Sequence, residues 1–146
     1  MKGIVISQVS LAVMVFCIGC SSDSGTEPYT APRPLPGAAV LAKFSAIQSN
    51  VFTTSCALSG CHIGSSPTAG LNLSSGQAYA NLVNVPSAEM PSLKRVEPGN
   101  SAQSYLVRKL TGNQISGSRM PLVGQPLAQS VIDSIASWIN QGAPNN

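Results

Sequence analysis

Apolar residues recur at spacings of three and four in two stretches of the chain, and the residues around them mark where helices start and stop. In "VLAKFSAIQSNVF", Leu41, Phe44, Ile47 and Val51 fall on one helical face. In "LAQSVIDSIASWIN", Ala128, Val131 or Ile132, Ile135 and Trp138 or Ile139 do the same. Gly142 and Pro144 stop that second helix, since glycine accepts the left-handed turn just past a helix and proline cannot continue it. Two shorter helices are expected at "GQAYANLV" and "SAQSYLVRKL", the latter capped by Asn100 or Ser101 accepting from a free N–H of its first turn. Between these segments the chain is rich in Gly, Pro, Ser and Asn, with no sustained β-alternation and no internal repeat. The pattern predicts an all-α domain of about four short helices joined by long Gly/Pro-rich loops.

The N-terminal pattern is different. "MKGIVISQVSLAVMVFCIGC" carries one lysine and then an apolar run interrupted by Ser7, Gln8 and Ser10, the layout of an export signal. Its uninterrupted part is too short for a comfortable membrane span. Gly19 before Cys20 and the polar "SSDSG" after it resemble a bacterial lipobox, with Cys17 standing where leucine is usual. The expectation is a lipoprotein signal over 1–20 and lipidation at Cys20, with plain signal cleavage and a retained anchor as alternatives. The exported lipoprotein would face the periplasm or the cell surface, and Ser21 after the cysteine favours the outer membrane. "SSDSGTEPYTAPRPLPG", residues 21–37, contains four prolines and little apolar periodicity, as an extended tether would. The folded domain is expected over 38–146, one domain's length.

Composition supports this division. Apolar residues form 43% of the chain and charged residues 9%, with 13 glycines and 11 prolines, which fits a loop-rich domain rather than a long-helix bundle. The net charge of +3 is scattered without a basic run, so no nucleic-acid footprint is present.

The candidate chemistry lies in "TSCALSGCHIG", which holds Cys56, Cys61 and the chain's only histidine, His62. A local disulfide is one reading for an exported protein. A structural zinc site needs four ligands, and apart from Cys20 the mature chain offers no further cysteine or histidine. A catalytic Cys–His pair requires the imidazole to reach the thiolate, and sequence-adjacent side chains seldom point at each other. Covalent haem attachment uses all three residues: two thiols join the vinyl groups and the histidine reaches the iron. The usual signature is C-x-x-C-H. Here Leu58 occupies the expected first-cysteine place and Cys56 lies two residues earlier, giving C-x4-C-H, with Ser59 and Gly60 as a flexible approach.

Such an iron needs a partner on its other face, and a soft thioether favours the ferrous state. Met90 in "AEMPS" and Met120 in "SRMPL" are the candidates, each also able to serve as core filler. Met120 has the better position, in a Gly-rich loop directly before Pro121 and just ahead of the last helix. Proline disfavours a helical conformation for the residue before it, so Met120 is free to present its sulfur from extended backbone.

Taken together, "SCALSGCH", "GLNL", "AYANLVNVPS", "RVEPGNSAQSYLVRKLTG", "RMPLVGQPL" and "SIASWINQGA" make residues 38–143 resemble a small mono-haem c-type cytochrome domain of bacterial lipoproteins. The resemblance implies a cytochrome c-like fold, with N- and C-terminal helices crossing near one covalent haem c. It implies thioether links at Cys56 and Cys61 and axial iron ligands His62 and Met120. It implies a membrane-tethered electron carrier cycling Fe(III)/Fe(II), not an enzyme in itself, that meets redox partner proteins and could serve as a subunit of an oxidoreductase. Members of the family usually begin the last helix with a serine or threonine cap where Ala128 stands. The haem propionates would need polar partners, for which Arg95, Arg108 and Lys109 are candidates, while Tyr79, Tyr105 and Trp138 are candidates to border the haem. Solvated surface charge and ordinary core packing are the competing readings for these six. Two other functions stay open: a haem enzyme or gas sensor with a displaceable sixth ligand, and a haem-free binding lipoprotein closed by a disulfide.

Overall fold

Phe44, Ile47 and Val51 form the expected helical stripe, but the helix that carries them changes pitch. In the structure, a computed structural model that describes residues 42–146, helix α1 spans Phe44–Ile47 and continues as a π-helical segment, Gln48–Cys56. The signal segment, Cys20, the tether and Leu41 lie outside the described residues. Side chains that bond back to helix carbonyls loosen the ordinary ladder here. Ser49 Oγ donates to Ser45 O at 3.0 Å, Asn50 Nδ2 to Ala46 O at 2.9 Å and Thr54 Oγ1 to Asn50 O at 2.8 Å. The Ala57 N–H closes the last wide turn on Phe52 O at 2.7 Å. Ile47, Val51 and Phe52 are all buried in one apolar cluster, against which Cys56 packs.

Three further helices follow: α2 over Ala78–Leu82, α3 over Tyr105–Thr111 and α4 over Gln129–Asn140. Short 3₁₀ turns at Thr68–Gly70 and Ser101–Gln103 precede α2 and α3. Among the described residues there is no strand, only isolated bridges such as Val83 with Val96 and Lys94 with Ser104. The described chain is all-α, and none of its helices is long and apolar enough to cross a membrane.

The expected cap at Asn100 closes the 3₁₀ turn rather than α3, its side chain accepting from Gln103 N–H at 3.1 Å. Ser104 precedes α3 without capping it. Its buried hydroxyl donates to Asn100 O at 2.8 Å and accepts from Glu97 N–H at 2.9 Å, which fixes how the preceding loop enters the helix.

Helix α4 buries Ile132, Ile135, Trp138 and Ile139, whereas Ala128 is exposed at the N-cap and off the expected apolar face. No side chain caps this helix. Ala128→Ser supplies an acceptor for the first turn and is expected to raise stability by about 1 kcal/mol, which thermal unfolding of the two proteins would measure.

At the other end, Gly142 N–H donates to Ile139 O at 2.9 Å and Ala143 N–H to Trp138 O at 3.0 Å, the paired bonds of a Schellman stop. Gly142 accepts the required φ of +95°. The residues beyond are tied down: Tyr79 Oη donates to Ala143 O at 2.9 Å and Trp138 Nε1 to Pro144 O at 2.8 Å. Asn146 then satisfies the free start of α1, accepting from Phe44 N–H at 2.9 Å and Ser45 N–H at 2.8 Å. Phe44 joins this end to α4, its ring centre 5.4 Å from Trp138 and 5.2 Å from an edge-on Tyr79.

Candidate functional site

Beyond Cys56 the backbone folds back on itself at once. Cys61 N–H donates to Leu58 O at 2.9 Å and His62 N–H to Cys56 O at 3.2 Å, so the turn returns His62 to the end of the helix that carries the first cysteine. Gly60, at φ +78°, makes the reversal without a side-chain penalty. The next segment is pinned to the same turn by Thr68 N–H to Cys61 O at 2.9 Å and Leu73 N–H to His62 O at 2.8 Å. Cys56 and Cys61 are both free thiols. Burial, with the proximity of Cys61 added, pushes the Cys56 thiol up to about 11, so it is protonated at neutral pH.

Both cysteines and His62 line one cleft. Its floor is apolar, made by Phe52, Leu71, Leu73, Leu82, Leu106 and Leu110 from four parts of the chain. Its empty volume, open mouth included, is about 1130 Å³. Met120 also lines it, followed by Pro121, Leu122 and Val123. Leu122 and Val123 are 67% and 64% exposed, unusual for large apolar residues and placed at the cleft's rim. Met90 is half-buried away from the lining, its N–H bonded to Ser87 Oγ at 3.2 Å.

Arg95 lines the cleft, half-buried. Its guanidinium donates to Asn81 O at 2.9 Å, Ala69 O at 2.9 Å and Gly70 O at 3.4 Å, and among the described residues it has no carboxylate partner. Burial lowers its pKa from the ordinary value. Tyr105 lines the cleft as well, whereas Arg108 does not. Arg108 is instead bonded to Ala102 O and Gln114 Oε1 on the far side of α3, because consecutive residues of a helix point about 100° apart. Lys109, one position on, takes the place. Tyr79 and Trp138 belong to the core around Phe44 rather than to the cleft.

A charged cluster completes the wall. Lys109 Nζ lies 2.9 Å from Glu89 Oε2, and Tyr105 Oη donates to the same oxygen at 3.0 Å. Burial works against ionisation of Glu89, but the hydrogen bonds from Lys109 and Tyr105 and the charges of Lys109 and His62 outweigh it and hold its carboxyl below the ordinary range. Burial raises Tyr105, with the Glu89 carboxylate adding to the effect. Glu89 carried no signal in the sequence beyond its place beside Met90. Lys109 did carry one, since it stands four residues after Tyr105 and therefore on the same helix face.

His62 Nδ1 is buried with no hydrogen-bond partner. Unpartnered buried nitrogen is costly, while the imidazole as a whole lines the cleft. Among the described residues, no three His, Cys, Asp or Glu side chains group into a metal-ion site, so the protein side chains alone offer this histidine no such cluster. Compared with protein-family models, curated proteins and solved structures, the chain matches none.

Proposed function

We propose that this chain is a mono-haem c-type cytochrome of cytochrome c-like fold, an electron carrier tethered to a membrane through a lipid on Cys20. One observation carries the reading: a single apolar cleft is lined by both cysteines, by the chain's one histidine and by Met120, while Met90 stays outside it.

The donor set fits the group. Two free thiols match two vinyl attachment points, the His62 imidazole on the lining matches one iron ligand, and a thioether matches the other. Haem supplies a one-electron Fe(III)/Fe(II) couple when bound. Cys56 and Cys61 would hold the haem through thioether links, each sulfur bonding one carbon of a vinyl group and its proton passing to the other. His62 and Met120 would ligate the iron, the thioether favouring the ferrous state and raising the potential. The leucine floor excludes water and lowers the local dielectric. Arg95, without an acidic partner among the described residues, would offer its charge to a propionate, and Tyr105 borders the same space. With His62 and Met120 both on the iron no position would remain for a substrate, and the chain would carry electrons to and from partner proteins rather than act as an enzyme.

The test is the visible spectrum of the full-length protein produced with cytochrome maturation machinery. The reading predicts the sharp reduced bands of six-coordinate haem c and slow binding of carbon monoxide. Rapid carbon monoxide binding would favour the enzyme or sensor reading, and a colourless product the haem-free one.

A further inference from the structure

The loop that delivers Met120 leaves α3 at Gly112 and comes back to it, Met120 N–H donating to Lys109 O at 2.9 Å and Arg119 Nε to Leu110 O at 2.7 Å. Midway it is held a second time. Ser116 N–H donates to Tyr105 Oη at 3.0 Å, and Lys109 Nζ donates to Ser116 O at 3.0 Å. Tyr105 has one hydroxyl proton, and it goes to the Glu89 carboxylate at 3.0 Å rather than to Ser116 O at 3.4 Å. The hydroxyl therefore accepts from the loop and donates to the carboxylate that also pairs Lys109. The loop backbone passes directly over this pair: a Cβ added at Gly117 would lie 3.6 Å from Glu89 Oε1 and 3.9 Å from Lys109 Nζ.

Holding a loop does not by itself require buried charge. Lys109 is only 8% exposed while its partner Glu89 is open to solvent, so the pair is a poor source of stability: desolvation of the ammonium and screening at the carboxylate offset its attraction. What such a pair does supply is one fixed geometry, since any displacement leaves a charge unpartnered in a low-dielectric wall. We propose that Glu89, Tyr105 and Lys109 are positioning residues for Met120, a polar clamp that sets where its sulfur sits in the cleft. The proposal rests on the haem reading above and adds to it the groups that keep the sixth position closed.

The experiment uses the full-length haem-loaded protein and the variants Tyr105→Phe, which keeps the ring, Lys109→Met and Lys109→Arg. Tyr105→Phe is expected to weaken the ferric sulfur-to-iron absorption, lower the potential and speed carbon monoxide binding about tenfold, the loss of one hydrogen-bonded clamp point. Lys109→Met should do more, and Lys109→Arg should restore most of it. Amide exchange at Ser116 and Met120 should quicken in step. Ile139→Val, a methyl deletion in the core away from the cleft, should lower the melting temperature while leaving the potential and the carbon monoxide rate unchanged. Clamp variants that lose only stability, as Ile139→Val does, overturn the clamp and leave the haem reading standing. A wild type without sulfur-to-iron absorption overturns both.

Discussion

Met120→Ala is expected to abolish the weak sulfur-to-iron absorption of the ferric protein, to lower the reduction potential and to admit carbon monoxide quickly. The drop in potential should be on the order of 0.1 V, within the ~0.8 V over which axial ligands set haem potentials. The cause is the loss of a donor that prefers ferrous iron, together with a vacated coordination position. Met120 is half-buried on the cleft lining, with its backbone tied to α3 through Lys109 O, so truncation removes a sulfur from a site already built to hold it. Met90→Ala should leave spectrum and potential alone and cost at most about 2 kcal/mol of packing, because Met90 lies off the lining. If the two variants exchange behaviours, the axial ligand is Met90 and the electron-carrier reading survives. If neither matters, the iron is not methionine-ligated and the sensor or enzyme reading is the better account.

The second large effect concerns attachment. Cys61→Ser should remove most covalent haem, whereas Cys56→Ser should leave haem attached through a single bond, with one unreacted vinyl group that shifts the reduced absorption band of the denatured protein in pyridine. The difference follows from where the two sulfurs sit. Cys61 is locked beside His62 in the tight turn, with both its N–H and its C=O engaged. Cys56 is reached across the longer loop, at the end of the π-helical segment, and it is half-buried. A Cys56→Ser protein whose band in pyridine is identical to that of wild type would mean that Cys61 alone is bonded.

Much of this was legible along the chain because helices with a wet face write their period into the sequence. The terminal helix and its glycine stop are of that kind: Ile132, Ile135, Trp138 and Ile139 recur with the turn, and Gly142 sits where only a left-handed residue closes it. The all-α class followed from such patterns. The π-helical pitch after Ile47 was not legible, since it arises from side-chain bonds of Ser49, Asn50 and Thr54 that no apolar period records. Nor was the Asn146 cap on α1, a contact between residues at opposite ends of the domain. At the site, the cysteines, His62, Met120, Arg95 and Tyr105 could all be named because their chemistry is distinctive. Arg108 and Lys109 were both candidates because their chemistry is the same, and only helix phase separates Lys109, on the cleft, from Arg108, off it. Glu89 is invisible without the fold, since its partners Tyr105 and Lys109 are distant in sequence and meet it only across the cleft wall.

The central claim is that Cys56, Cys61 and His62 form a haem attachment site. The most direct measurement is the mass of the chain, purified after co-expression with cytochrome maturation machinery, denatured and extracted with acid–acetone. The account predicts the polypeptide plus one haem, with the added mass on the peptide that carries Cys56 to His62. A chain of unmodified mass, or one lighter by the two hydrogens of a Cys56–Cys61 disulfide, would contradict it.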